Sequence, residues 1–168
     1  DQRVDRDTSG LLRDFFDMGP GPYLVAARRA AAARPGLWRT ANSLNPAYDD
    51  DVRDTSTPLA MSQLLASIYQ GKGLSPASRD LLIQIMQRCR TGEARLKGLL
   101  PEGTVLAHKT GTLGATVNDV GVITLPNGRG RLVAAVMVKK SPKEPEERER
   151  AIAEIARAAH DYFTFVAP

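Results

Sequence analysis

An α+β fold, with an antiparallel sheet flanked by helices, is predicted by three features of this 168-residue sequence. The apolar period is helical through much of the first ninety positions, becomes strand-like between about 104 and 140, and turns helical again to the end. The strand candidates are consecutive, and the last two are joined by a short turn signal, which suits antiparallel neighbours rather than a helix-crossed parallel sheet. The length suits one domain with a real core and is too short for two ordinary ones.

Residues 7–18, "DTSGLLRDFFDM", place Leu11, Leu12, Phe15 and Phe16 on one helical face after a Thr8/Ser9 start signal, and Gly19-Pro20-Gly21-Pro22 closes the segment. An alanine-rich helix follows at about 23–33. From 34 to 58 the chain has prolines, asparagines and aspartates without a steady period, and reads as a long irregular loop of the kind that is usually functional. Thr57-Pro58 caps and opens the next helix, with Leu59, Met61, Leu64, Leu65 and Ile68 at helical spacing and Gly71-Lys72-Gly73 as its end. Ser75-Pro76 starts another, whose apolar face is Leu81, Leu82, Ile85 and Met86. "TVLAHKTGT", "DVGVITLP" and "GRLVAAVMVKK" are the strand candidates, with Pro126-Asn127-Gly128 turning between the last two. A final amphipathic helix at 145–163 puts Ile152, Ile155, Ala159 and Tyr162 or Phe163 on one face, packed on the sheet. The expected organisation is one domain over 1–168, with a helical part at 5–90 and the strands and last helix at 91–168.

Composition narrows the function classes. An apolar fraction of 42% and a charged fraction of 25% are ordinary for a globular chain. The net charge of +4 is spread among acids, and no basic stripe interleaves with aromatics, so no nucleic-acid partner is expected. The longest apolar run, 132–138, is strand-sized, and no membrane span is expected. Cys89 lies in an apolar-patterned run and reads as a buried or half-buried thiol. His108 and His160 are too few and too far apart for a zinc pattern, so neither a metal nor a cofactor is indicated. The start at Asp1, without a methionine or signal region, suggests a removed leader or a piece of something longer.

Four stretches carry more chemistry than the rest. They are "RTANSLN" at 39–45, "RDTSTPLAM" at 53–61, "AHKTGT" at 107–112 and "NDVGVITLPNG" at 118–128. In this order and spacing the chain resembles the class A serine β-lactamases and the wider penicillin-recognising serine hydrolases, from about 39 to 163 and more weakly back to residue 5. The first two stretches are similar to the opening and closing of that family's Ω-loop, here at about 39–56, and the third to its active-site strand. The resemblance implies an α/β sandwich of the β-lactamase/transpeptidase kind, lacking its N-terminal part. It also implies a bacterial periplasmic or secreted location and a β-lactam antibiotic as small-molecule substrate. An upstream fragment of the same fold, or self-association, is a further partner to expect.

The physical roles follow residue by residue. Lys109 on a strand edge, beside Thr110 and Gly111, supplies a cation and a hydroxyl for a substrate carboxylate, and the glycine admits the substrate backbone. The N–H of Thr112 is placed to donate to an oxyanion as a carbonyl becomes tetrahedral. Arg39 and Asp54 flank the loop, and an ion pair between them is expected to clamp its neck.

Departures from the family pattern are equally informative. Arg39, Leu44 and Asn45 set a register that puts Ala41 where the family has the glutamate that activates the deacylating water. Alanine offers neither acid nor base, although Asn45 is still available to position the water. Ala41 is either a substitution introduced to trap the acyl-enzyme, which the intact loop landmarks favour, or the mark of a natural homologue without turnover. None of the serines begins Ser-x-x-Lys, the family's nucleophile motif. Asp5-Arg6-Asp7 occupies the place of the family's Ser-Asp-Asn, and its serine and asparagine are missing; Ser43-Leu44-Asn45 is a rival inside the better-matched loop. The leading expectation is a β-lactam-hydrolysing serine enzyme that is incomplete or deacylation-deficient. A non-catalytic binding module of the same fold, or a D-Ala-D-Ala peptidase-like penicillin-binding protein, is the alternative.

Overall fold

The structure, a computed structural model, describes residues 5–166, apart from the side chains of Thr40 and Asn42. Its sheet has three strands in the order β1 (Leu106–Leu113), β2 (Thr116–Thr124) and β3 (Arg131–Val138), all antiparallel. Two-residue periodicity decides which side chains share a face. Leu106 pairs with Ile123 and Ile123 with Leu132, whereas Ala107 pairs with Val122 and Val122 with Val133. The first set packs with Leu96, Ile152 and Ala156 beneath the final helix α6 (Pro145–Asp161). The second packs with Leu65 and Met86 beneath α4 (Pro58–Tyr69) and α5 (Pro76–Gln87). Helices on both faces make the predicted flanked antiparallel sheet.

β2 begins three residues before the expected Asp119, because a tight turn at Gly114-Ala115 carries the ladder out to Leu113 and Thr116. Gly114 has φ +60°, and a Cβ there would meet the Phe15 ring and the Ser43 carbonyl oxygen at 3.1 Å, so both the turn and the approach of the loop select glycine. At the other end Asn127 (φ +56°) and Gly128 (φ +71°) form the expected turn, closed by Leu125 N–H donating to the Gly130 carbonyl at 3.0 Å.

The smaller helical layer comprises α1 (Thr8–Phe15), α2 (Tyr23–Ala33), a 3-10 turn at Leu37–Asn42 and the short α3 (Pro46–Asp49). Phe15, Phe16, Met18, Ala26, Ala30 and Leu37 form its core, with Ala41, Tyr48 and Leu113 packed against it. Phe15 stands edge-on to both Phe16 and Tyr48, the geometry that aromatic quadrupoles favour. The N-cap of α1 is Asp7, whose carboxylate accepts from Gly10 N–H at 2.6 Å, rather than Thr8 or Ser9. The loop expected to be irregular thus holds two helical turns, α3 being capped by Asn45.

Three helical faces differ from the sequence pattern: on α4, Leu59 and Leu64 are exposed and Leu65 is the buried anchor. On α5, Leu81 and Ile85 are more than half exposed, and Met86 is the buried anchor with Leu82 and Ile83 beside it. On α6 the buried stripe is Arg148, Ile152, Ala153, Ala156 and His160, while Ile155, Tyr162 and Phe163 face outward. The stripe on α6 is rotated because Arg148 and Ile152, four apart, set the inward line, and Ile155 falls beside it rather than on it. No described helix is long and apolar enough to cross a membrane.

Candidate functional site

β1 presents Lys109, Thr110, Gly111 and Thr112 at an edge of the sheet, since among the described residues β1 pairs with β2 alone. Lys109 is exposed and its Nζ donates to the Thr110 carbonyl at 2.5 Å, so the ammonium rests along the strand, available to an incoming anion. Thr110 Oγ1 shares a 2.6 Å hydrogen bond with Thr91 Oγ1, and Thr91 in turn lies 3.3 Å from the half-buried Cys89 Sγ. Gly92 makes that contact close: it has φ +67°, and a Cβ there would lie 2.5 Å from Thr110 Cγ2. The segment after α5 therefore lies hard against the edge.

Arg95 is the residue that sequence reasoning missed. Only 6% exposed, it donates from Nη2 to Thr112 Oγ1 at 2.6 Å, and from Nη1 to the carbonyls of Gly111 (3.3 Å) and Asn118 (3.1 Å). Its Nε donates to Glu149 Oε1 on α6 at 2.9 Å. Arginine suits this place because its planar fork satisfies several acceptors at once without giving up its charge. Residues 91–98 lack any period, so the only sequence signal was an arginine in a glycine-bounded turn, which is a common surface feature.

The residues of the 39–56 loop are held nearby. Ala41 is half-buried against the Phe15 and Phe16 cluster, and its carbonyl accepts from Gly114 N–H at 2.6 Å, joining the loop's start to the β1–β2 turn. Asn45 donates from Nδ2 to the Phe15 carbonyl at 2.9 Å and accepts Tyr48 N–H on Oδ1 at 3.3 Å. Both ends of that amide are thus engaged in holding the loop.

The clamp at the loop's neck is not the expected one. Asp54 binds Arg6, from Nε to Oδ2 at 2.6 Å, and accepts the backbone N–H groups of Asp5 (2.5 Å) and Arg6 (2.9 Å). Arg6 Nη1 also reaches Asp14 at 2.8 Å and Asp51 at 3.1 Å. Arg39 is exposed and forms no ion pair among the described residues. The correction has a geometric reason: residues 37–42 coil into a 3-10 turn packed on the aromatic cluster, while the segment 5–7 runs directly past Asp54. Burial disfavours the Arg6 charge, but hydrogen bonds to Asp54 and Asp14 outweigh it and hold the guanidinium well above its ordinary pKa. Those same bonds hold the Asp54 and Asp14 carboxyls below the usual carboxylate range. Asp5-Arg6-Asp7 is therefore occupied as a latch and a helix cap.

Ser43, of the rival Ser-x-Asn, is exposed, and Asn45 is committed to the α1 carbonyl. Among the described residues no group of three His, Cys, Asp or Glu side chains is placed to hold a metal ion. On the α6 side of β1, His108 (3% exposed) pairs with the fully buried Asp119.

Residues 27–163 match the β-lactamase enzyme family. The extended-spectrum β-lactamase PER-1 of Pseudomonas aeruginosa is 39% identical over 159 residues, covering 88% of this chain and 50% of that protein. β-Lactamase VEB-1 of the same organism is 41% identical over 124 residues, 69% of this chain and 41% of that protein. Among solved structures, the TLA-1 extended-spectrum β-lactamase matches with a TM-score of 0.65 at 32% identity, covering 96% of this chain and 66% of its own. The TLA-3 extended-spectrum enzyme matches with a TM-score of 0.64 at 37% identity, over 82% of this chain and 55% of its own. The chain spans about half the length of the curated relatives it matches.

Proposed function

We propose, from the premise that this chain belongs to the class A serine β-lactamase family and corresponds to its C-terminal portion, that it forms the substrate-carboxylate half of a β-lactam-hydrolysing site. The observation that carries the reading is the β1 edge, where the exposed Lys109 ammonium and the buried Arg95 guanidinium bracket Thr110, Gly111 and Thr112. An exposed lysine beside hydroxyls and a glycine is suited to a carboxylate ligand, and Arg95, paired with Glu149, holds the Thr112 hydroxyl and the Gly111 carbonyl in place beside it. Thr112 N–H serves as an oxyanion donor when the lactam carbonyl becomes tetrahedral. The nucleophilic serine, with its Ser-x-x-Lys lysine, comes from an upstream segment of the same fold, the partner this half requires.

Deacylation is slow or absent. Ala41 offers no base at the place of the family's glutamate, and its carbonyl is already bonded to Gly114. Asn45 and the Asp5–Asp7 segment act as scaffold, because their side chains are committed to the loop and to α1. That commitment also gives the non-catalytic binding module its support: a protein of this fold that captures β-lactams without turning them over. A bacterial periplasmic or secreted location fits either reading.

Intact mass spectrometry with benzylpenicillin tests the proposal. A chain that includes the upstream half should gain a persistent covalent adduct, and the 168 residues alone should gain none. In the longer chain Ala41→Glu should convert the adduct into turnover. Failure of the longer chain to acylate overturns the enzyme reading, and acylation without turnover in Ala41→Glu overturns the role given to Ala41.

A further inference from the structure

The neighbouring strand β2 carries, on the sheet face beneath α6, a carboxylate that the chemistry above leaves unused. Asp119 is 0% exposed, and its oxygens receive three contacts from two other segments. His108 Nδ1 lies 2.9 Å from Oδ1 and 3.0 Å from Oδ2, and Leu96 N–H donates to Oδ2 at 3.2 Å. Because a carboxylate only accepts, the His108 proton sits on Nδ1. The two partners are informative by position: His108 immediately precedes Lys109, and Leu96 immediately follows Arg95. One buried carboxylate therefore holds the backbone beside both cations of the edge.

We infer that Asp119 is a positioning residue for the carboxylate-binding edge, acting through Leu96 on Arg95 and through His108 on the strand that bears Lys109. This rests on the functional reading above only for the identity of the ligand. The geometry favours Arg95 as the main beneficiary. Lys109 is already fixed by the β1–β2 ladder, whereas residues 91–98 lie outside the sheet and are joined to it by side chains. Leu96 is itself fully buried in the cluster with Ile152 and Ala156. The Leu96 N–H bond to Asp119 therefore sets where this turn leaves the core and where the Arg95 head arrives. Glu149 at one side of the guanidinium and Thr112 at the other then fix its rotation. Loss of the Asp119 acceptor strands a buried N–H and lets the turn shift outward, moving the Arg95 fork off Thr112 and the Gly111 carbonyl.

The test compares ¹⁵N-labelled chain with Asp119→Asn, His108→Leu and His108→Asn. The first readout needs no ligand: solvent exchange of the Arg95 Nε–H, which is buried against Glu149. It should be roughly tenfold faster or more in Asp119→Asn and His108→Leu, and near its original rate in His108→Asn, which keeps a donor for the carboxylate. Exchange of the β3 amides of Val133 and Val136 should stay the same, since a general loosening would move those too. The second readout is affinity for benzylpenicillin, followed at the Thr110 and Thr112 amides, which should weaken roughly tenfold in the same two variants. An unchanged Arg95 Nε–H in folded Asp119→Asn, or equal acceleration of the β3 amides, overturns the inference. If Asp119→Asn does not fold, the contrast between His108→Leu and His108→Asn decides it. Absence of benzylpenicillin binding in every chain counts against the functional reading, while Arg95 exchange still decides the positioning role.

Discussion

From β1 to β3 the chain is held by pairing register and by apolar side chains on both faces, whereas from residue 37 to 58 it is held largely by charge. The sheet's core residues Leu96, Ile123 and Ile152 are fully buried, and each contributes through area removed from water. At the neck of the 39–56 loop, by contrast, two arginines and three aspartates, Arg6, Arg53, Asp14, Asp51 and Asp54, form one connected network. Lys140 adds a further tie from the end of β3 to Asp50. The two regions meet through Ala41 O and Gly114 N–H, so a site built across them depends on two kinds of force with different sensitivities. Hydrophobic burial is indifferent to mild acid, and carboxylate pairing is not.

The largest effect expected on this contrast is from Leu96→Ala. The truncation opens a cavity between α6 and the sheet and should cost about 2–5 kcal/mol in urea unfolding. It should leave the Arg6 network intact if the regions are as separate as the forces suggest; a simultaneous loss of amide protection around Asp54 would show them to be one unit.

Arg6→Ala should cost about 3 kcal/mol, near the low end for a broken buried pair because its carboxylate partners keep some solvent. Unlike the core truncation, it should be felt first in the loop, as faster hydrogen exchange from residue 45 to 56 with the β2 amides unchanged. Uniform acceleration across the sheet would contradict the division.

Acid should act in the same place. Hydrogen bonds from Arg6 hold Asp14 and Asp54 below their ordinary values, and a bond from Arg53 does the same for Asp51. A carboxyl depressed in the folded state stabilises it at pH above the unfolded value near 4, and that contribution is lost as pH falls through the folded value. Loop protection should therefore decline as pH falls below about 4, ahead of the protection of the β3 amides of Val133 and Val136, as followed by amide exchange. A loop whose protection relative to β3 is unchanged by acid would mean that the aromatic cluster, and not the charge network, holds it.

The smallest change sharpens the comparison further. Arg39→Ala should alter stability by no more than about 0.5 kcal/mol, since the side chain is exposed and unpaired among the described residues. A loss comparable to that of Arg6→Ala would restore the Arg39–Asp54 clamp that the sequence pattern suggested.

Much of the architecture was legible because it rests on local periodicity. The alternation in 104–140 and the Pro126-Asn127-Gly128 turn specify a hairpin ladder, and Thr57-Pro58 and Ser75-Pro76 are capping signals that act within one helical turn. The strand position of Lys109-Thr110-Gly111-Thr112 was legible for the same reason, since contiguous residues carry the alternation. The rotation of the α6 stripe was not, because Ile152 and Ile155 both satisfy a helical period and only the sheet beneath chooses between them.

By itself, then, the amino-acid order determined the antiparallel sheet with its flanking helices and the contiguous Lys-Thr-Gly-Thr run on one of its strands. Only the tertiary structure decided that Asp54 closes on Arg6, that Arg95 braces Thr112 and that Asp119 anchors Leu96. Each of those contacts joins residues 17 to 48 positions apart. Charge and hydrogen-bonding groups carry no address for a partner at that range, and several donors could satisfy the same carboxylate. The choice among them is made by which segments the hydrophobic layers bring within reach.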